Sequence, residues 1–179
     1  MTGMTEPKVT NGTSWQFGAP VVAVAFDAAG IGAFACGDGT LRLFADVRDP
    51  VSREIHKGAA MSLAAHPVGG FLSGGDDGRL VHTIPGSDAT ELFSQKGKWI
   101  ENIATSDATG LIAITVGKEA VVLDGSQQNR FTHSTTATGV AFDPKGRRLA
   151  VSHYNGISLW WTKSASQAAT VLPWKGSHL

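Results

Sequence analysis

The sequence predicts an all-β protein, a β-propeller of four-stranded antiparallel blades with about four blades present. Short apolar runs alternate with turns rich in Gly, Asp and Pro, which is typical of strands joined by tight turns. The pattern recurs four times, with turns anchored at Ala28, Pro67, Asp107 and Pro144 that lie 39, 40 and 37 residues apart. A period of about 40 residues is that of a propeller blade. No stretch carries the apolar spacing of an amphipathic helix.

The first three strands of each unit are its most apolar runs. A turn with Asp-Gly, Asn-Gly or Gly-Lys separates the second run from the third, where a tight hairpin needs residues that tolerate positive φ. The first runs are Val21–Phe26, Met61–Ala65, Ile100–Thr105 and Thr138–Phe142. The second and third runs are Ile31–Cys36 with Thr40–Phe44, Phe71–Ser73 with Arg79–Ile84, Leu111–Val116 with Glu119–Leu123, and Arg147–Ser152 with Ile157–Trp161.

A weaker and more polar fourth run follows each third run. Polar, short strands are expected at the outer edge of a sheet, where one side of the backbone is unpaired. The fourth runs are Arg53–His56, Glu91–Phe93, Gln128–Phe131 and Ala169–Leu172. The predicted domain organisation is a flexible N-terminus over 1–12 and a propeller segment over 13–179, with blades near 20–57, 58–97, 98–133 and 134–173 and the start of a fifth at 174–179.

A row of four blades is predicted to be a partial or open propeller, or half of a larger ring. Stacking neighbours buries the apolar faces of each blade, so a row of four leaves one bare face at each end. Thr13–Phe17 precedes the first inner strand and is interpreted as an orphan outer strand of a missing blade. We expect the missing blades to come from the rest of a longer chain, from a second copy or from another subunit.

Composition and charge argue against several classes of partner. Lys plus Arg equals Asp plus Glu, 15 of each, whereas nucleic-acid binders usually carry a basic excess. The densest basic cluster, Lys145, Arg147 and Arg148, is interpreted as a solvated turn. No apolar run approaches the roughly 18 residues of a membrane helix. The single cysteine, Cys36, fits a reducing compartment, so a cytoplasmic protein without nucleic-acid or membrane partners is expected.

Catalytic and cofactor-binding motifs are absent from the sequence. It contains no Gly-x-Ser-x-Gly, phosphate-binding loop, His-Glu-x-x-His or Cys-x-x-Cys motif. The histidines lack metal-ligand spacing, and the pair Asp76–Asp77 before Gly78 is interpreted as a turn. We therefore predict no enzyme activity, no metal and no cofactor. The alternative is a propeller enzyme or a small-ligand or metal module that uses the central channel, although Glu101 and Asn102 are the main polar exceptions in the inner strands.

Two features of the repeats resemble the WD-repeat family. Phe26 or Phe142 precedes the turn after the first strand, and Ser73–Gly78 reads Ser-Gly-Gly-Asp-Asp-Gly. The resemblance covers about 20 to 175 and is closest to the N-terminal half of a bacterial single-propeller WD-repeat protein. It implies that a structural hydrogen-bond network of His, Ser, Asp and Trp fixes each blade. The residues at the corresponding positions are His56, Asp77, His133, Ser152, Asn155 and Trp160.

The same resemblance implies a protein–protein interaction scaffold that binds through one rim of loops. These loops lead into the inner strands and join the second strands to the third. Aromatic residues with a polar tip dominate interface energetics, so Trp99 and Tyr154 are the first candidates, although Trp99 could instead merely cover the blade edge. The predicted partner-binding residues are Trp99, Tyr154, Lys98, Lys118 and Asp76.

Overall fold

The computed structural model describes residues 12, 14–45, 50–154, 156–163 and 169–173. The expected flexible segment 1–11 and the expected fifth blade at 174–179 lie outside these residues. In the described part of the chain every regular element is a β-strand. Blade 1 holds β1 (Val21–Phe26), β2 (Gly32–Cys36), β3 (Thr40–Phe44) and β4 (Val51–Glu54), and blade 2 holds β5 (Ala60–Ala65), β6 (Phe71–Gly75), β7 (Arg79–Thr83) and β8 (Thr90–Ser94). Blade 3 holds β9 (Ile103–Thr105), β10 (Ile112–Val116), β11 (Glu119–Asp124) and β12 (Gln127–Thr132), and blade 4 holds β13 (Ala137–Phe142), β14 (Arg148–His153), β15 (Gly156–Trp161) and β16 (Thr170–Pro173).

Each blade is a separate four-stranded antiparallel sheet whose strands lie side by side in chain order. The predicted all-β fold class of four-stranded antiparallel blades is confirmed. The first strands β1, β5, β9 and β13 contact one another in sequence, so they line a common inner side of the row. No described residue belongs to a helix that has the length and hydropathy needed to cross a membrane.

Three apolar cores hold the row together, one at each junction between consecutive blades. The first packs Leu41 and Leu43 of blade 1 against Phe71 and Val81 of blade 2. The second is the most aliphatic and the third is built around Trp160. Since antiparallel partners directly opposite each other lie on the same sheet face, blades 2 and 3 each use one face for the preceding blade and the other for the following blade.

Two strands are shorter than predicted at one end by two or three residues, because their backbones bond outside their own sheet. The fourth strand of blade 1 ends at Glu54 rather than His56. The N–H groups of Ile55 and His56 instead donate to the Gly39 carbonyl, at 3.2 and 3.0 Å. The first strand of blade 3 begins at Ile103 rather than Ile100, because the Ile100 N–H donates to the Gly75 carbonyl of blade 2.

The expected outer strand before blade 1 is not a strand over its described residues, Ser14–Phe17. A strand needs a backbone partner, and no strand of the four sheets pairs with this segment. Its aromatic rings instead lie on the first face of blade 1. Trp15 packs 5.4 Å from the Phe44 ring and Phe17 packs 5.2 Å from the Phe34 ring, measured between centroids. The segment thus covers part of an end face that was expected to be bare.

Candidate functional site

The loops predicted to form the binding rim lie on one edge of the row. We call this surface the rim: the hairpin turns between second and third strands, together with the connecting loops before each first strand. Each hairpin turn is bonded to the connecting loop of the next blade. The Gly39 carbonyl accepts from His56, the Gly75 carbonyl accepts from Ile100 at 3.1 Å, and the Gly117 carbonyl accepts from Ala137 at 2.8 Å.

Hydrogen bonds inside single blades close the gaps between these links. The Gly37 N–H donates to the Pro20 carbonyl at 2.8 Å, and the Asp76 N–H donates to the Ala59 carbonyl at 3.1 Å. In blade 4 the Tyr154 N–H donates to the Thr135 hydroxyl at 3.2 Å. In blade 3 the Thr115 N–H donates to the Asn102 carbonyl at 3.1 Å. Hydrogen bonds therefore link the rim loops across all four blades and fix the relative positions of their backbones.

Trp99 is the most prominent side chain on the rim. Its side chain is 57% exposed. Beside it is a shallow depression of about 180 Å³ between the connecting loop of blade 3 and the hairpin turn at Gly117. The Lys98 ammonium lies over that turn, 3.6 Å from the position that a Cβ on Gly117 would take. The depression is lined by Gly97, Lys98, Trp99, Glu101 and Gly117.

The other predicted rim residues lie on neighbouring blades rather than in the same depression. Tyr154 is 50% exposed in the hairpin turn of blade 4. Lys118 is exposed, and its carbonyl accepts the His133 N–H at 2.9 Å. Asp76 is half-buried, and its carboxylate fills the space that a side chain on Gly58 would need. The five predicted residues thus share the rim and span three blades without forming a single pocket.

A charged cleft on the rim was missed by the sequence reasoning. It lies between the hairpin turn of blade 1 and the connecting loop of blade 2 and has a volume of about 670 Å³. Arg79 donates to the Ile55 carbonyl at 2.9 Å and to Glu91 at 2.5 Å, which fixes the guanidinium at the cleft wall. Only the position of Arg79 directly after the Asp-Asp-Gly turn hinted at this role. The cleft is lined by Asp38, Thr40, Glu54, Ile55, His56, Lys57 and Arg79.

The predicted structural network is formed in blade 2 by three residues. His56 Nδ1 lies 3.0 Å from Asp77 Oδ1, and His56 Nε2 lies 2.9 Å from Ser73 Oγ. Because a carboxylate only accepts, Nδ1–H donates to Asp77 and Nε2 accepts from the Ser73 hydroxyl. Burial lowers the pKa of His56 below its ordinary 6.5, although the Asp77 carboxylate opposes this shift. Thr83, on the neighbouring strand β7, is fully buried.

Asp77 connects this network to the rim. Burial alone raises the pKa of Asp77, but hydrogen bonds from the Lys57 and Arg79 N–H groups and from His56 outweigh burial, so the net shift is downward. The carboxylate accepts from the Lys57 N–H at 3.1 Å and from the Arg79 N–H at 3.1 Å. It therefore holds the connecting loop of blade 2 against its own hairpin turn.

Blade 4 forms only part of the predicted network. Trp160 Nε1–H donates to His133 Nε2 at 3.1 Å, and His133 Nδ1–H donates to the Lys118 carbonyl at 3.2 Å. Ser152 does not join this pair, because it lies opposite Gly139 and Ile157 on the other face of the sheet. There its hydroxyl bonds Thr138 at 3.1 Å. Asn155 lies outside the described residues.

A second histidine beside this pair was not predicted. The His153 ring lies 5.2 Å from the His133 ring, measured between centroids, and its Nε2 bonds Ser158 at 2.9 Å. Burial, and to a smaller degree the nearby His153, lower the pKa of His133, while its bond to the Lys118 carbonyl opposes the shift. The neutral His133 ring uses both nitrogens, so protonation would displace the Trp160 donor.

The free energy of unfolding is expected to fall as the pH is lowered through about 6.5, well above the pH range in which carboxylates titrate. His56, His66 and His133 all have folded pKa values below the ordinary 6.5. The unfolded chain therefore binds more protons than the folded chain as the pH falls through 6.5, and the free energy of unfolding falls with it. Urea unfolding between pH 8 and pH 5 measures this slope. His133→Gln should reduce it, and stability that is constant or rises toward acid would contradict the expectation.

Among the described residues, no group of three or more His, Cys, Asp or Glu side chains is arranged to hold a metal ion. Comparison of the chain with protein-family models gave no match, and a search of the curated proteins likewise found none.

Proposed function

We propose that the chain is a non-catalytic protein–protein interaction scaffold of the WD-repeat type, which binds a protein partner through the rim. Its partner is neither a nucleic acid nor a membrane, and binding needs no cofactor. A cytoplasmic location fits the buried free thiol of Cys36, which stays reduced in that compartment.

The observation that carries the proposal is the combination of exposed aromatic side chains with a rigid hydrogen-bonded rim. Trp99 and Tyr154 remain 57% and 50% exposed although large aromatic rings gain free energy on burial. Both rings are mounted on loops whose backbones are fixed by neighbouring loops. Binding therefore costs little ordering of the loops, which is the main benefit of a preorganised interface.

The charges of the rim favour a partner with polar groups of both signs. Lys57, Lys96, Lys98 and Lys118 are exposed, and Asp38 and Glu101 add negative charge between them. Such charges at the periphery steer the encounter and reject partners of the wrong pattern, while the aromatic rings supply most of the affinity. The charged cleft at Arg79 and the depression at Trp99 are two separate sites on this surface that a partner could contact.

The test is capture of partners by the chain and by a rim variant, with mass spectrometry as the readout. The double change Trp99→Ala and Tyr154→Ala is expected to remove the proteins that the original chain captures, since each hot-spot ring commonly contributes about 2 kcal/mol or more. The matched control is Val68→Ala, because Val68 is 83% exposed in the turn between β5 and β6. Unchanged capture by the double variant, with its β-type circular dichroism intact, would show that the rim is not the binding surface.

A further inference from the structure

The two faces of each blade differ in side-chain size. We call the face toward the preceding blade the leading face and the face toward the following blade the trailing face. On the first two strands, trailing faces carry mainly Ala, Gly and Ser, with Leu72, Thr115 and Arg148 as the exceptions, whereas every leading face carries at least two large apolar side chains. The trailing sets are Ala23, Ala25, Ala33 and Ala35; Ser62, Ala64, Leu72 and Gly74; Ala104 and Ala113; and Gly139, Ala141, Ala150 and Ser152.

At the inner strands of the first and third junctions a small-residue surface therefore meets a large-residue surface, whereas at the second junction Leu72 of blade 2 packs with Ile112 and Ile114 of blade 3. At the first junction Ala33 and Ala35 lie in the same core as Phe71 of blade 2. At the third, Ala113 lies in the same core as Leu149 and Val151 of blade 4. Large side chains on one sheet thus fill the space that small side chains leave on the other, which produces the dense packing of a protein core.

The two end faces have the same complementary pair of surfaces. The leading face of blade 1 presents Val24 and Phe26, which are 63% and 66% exposed. The trailing face of blade 4 presents the small residues Ala141 and Ala150. They are flanked by exposed Leu172 and by exposed Trp161, over whose ring the Arg148 guanidinium lies, 6.0 Å from the ring centroid. Apolar surfaces of this extent on a protein mark sites of association.

We propose that a second copy of this chain covers both end faces, with the trailing face of blade 4 in one copy packed against the leading face of blade 1 in the other. Two such head-to-tail junctions close a ring of eight blades, which lies within the known range of propeller sizes. The first and third internal junctions are the template: at the inner strands the new contact repeats their arrangement of small residues against large ones.

The area of the faces favours closure of both junctions together. With strands about 4.8 Å apart and about 3.3 Å per residue, a face of four strands and five residues measures roughly 300 Å². One junction then buries about 600 Å², below the roughly 1,000 Å² expected of a specific interface, whereas two junctions bury about 1,200 Å². A closed pair is therefore stable where an open chain of copies is not.

The N-terminal segment occupies part of the leading face of blade 1 and leaves the rest open. Trp15 and Phe17 lie over Phe34 and Phe44 of β2 and β3. The inner strand β1 keeps Val22, Val24 and Phe26 exposed beside them. The contact with a second copy begins on this open strand, and the N-terminal segment must shift outward or become part of the interface.

The test is the mass of the full chain in solution over a range of concentrations, by light scattering after size exclusion. The original chain is expected to have twice the mass of one chain. Val24→Asp on the leading face and Leu159→Asp on the trailing face are each expected to weaken association at least about tenfold, because each would bury an unpaired charge. Trp161→Asp replaces Leu159→Asp if that variant loses its β-type circular dichroism. Val68→Asp, which adds the same charge in a turn away from both faces, should leave the mass unchanged.

Mixing the variants distinguishes a head-to-tail pair from two like faces. An equimolar mixture of the Val24→Asp and trailing-face variants forms pairs with one intact junction, so a weak association, visible only at the highest concentrations, is expected where neither variant associates alone. A monomeric original chain at all concentrations overturns the proposal. So does a variant that still pairs fully although one of its faces carries the added charge, because that result requires like faces in contact.

Discussion

Replacing Phe71 with alanine is expected to lower the free energy of unfolding by about 3–5 kcal/mol, the usual cost of deleting a buried aromatic ring. Phe71 is fully buried in β6 and lies in the core that joins blade 1 to blade 2. Ala33 and Ala35 opposite it are too small to fill the space, and the surrounding backbones are fixed in two sheets. A cavity would therefore persist. Since a domain is stable by only about 5–15 kcal/mol, much of the stability would be lost.

Urea unfolding followed by circular dichroism measures this change. The control is Val68→Ala, three residues earlier in the chain, where the side chain is 83% exposed. That change is expected to stay within about 0.5 kcal/mol, as is usual for exposed positions. If Phe71→Ala cost no more than the control, the junction between the first two blades would not be a packed core.

Replacing Gly78 with alanine is expected to cost about 3 kcal/mol or more and to disturb the rim. Gly78 has φ of +81°, where a Cβ adds about 1–2 kcal/mol of strain. The new Cβ would also overlap the Gln95 carbonyl oxygen and lie 2.8 Å from the Lys98 carbonyl oxygen. Such overpacking adds about 1–3 kcal/mol. Because the Gly78 carbonyl accepts the Gln95 N–H, the connecting loop that carries Trp99 would shift as well.

Gly86 separates the two effects of this change. It has φ of +82°, and nothing lies within 4 Å of the position that its Cβ would take. Gly86→Ala should therefore show the backbone strain alone, with partner capture through the rim unchanged. Urea unfolding of both variants gives the difference. Equal losses of stability would mean that the hairpin turn of blade 2 does not press against the connecting loop of blade 3.

The sequence was sufficient for the blades because strands and hairpins are local. The alternating apolar runs and the turn at Gly78 depend only on residues that are neighbours in the chain, and the repeat identified equivalent strands. The misplaced ends, at His56 and Ile100, arise where a backbone N–H bonds a different part of the chain. The pattern of residues near each strand end does not predict such a bond. The position of Ser152 was misjudged because one residue of register moves a side chain to the opposite face.

The candidate site was predictable in outline and not in detail. Placing both kinds of loop on one edge follows from antiparallel strands of similar length, and Trp99 and Tyr154 are found there. The charged cleft at Arg79 was missed because it depends on two loops from different blades that meet in space. The pair of His133 and His153 depends in the same way on packing between blades 3 and 4.

The unequal faces of the blades have a consequence for how such a chain grows. The inner strands of blades 1 and 3 offer small side chains to the next blade, and blades 2 and 4 meet them with large ones, so the row has a direction. A gene duplication that copies one whole unit preserves that direction at both new seams, so rings of different size are within reach of simple copying. A blade inserted with its two faces exchanged would place large side chains against large ones at one junction and small side chains against small ones at the other. The molecule is thus extendable by repetition but not by inversion.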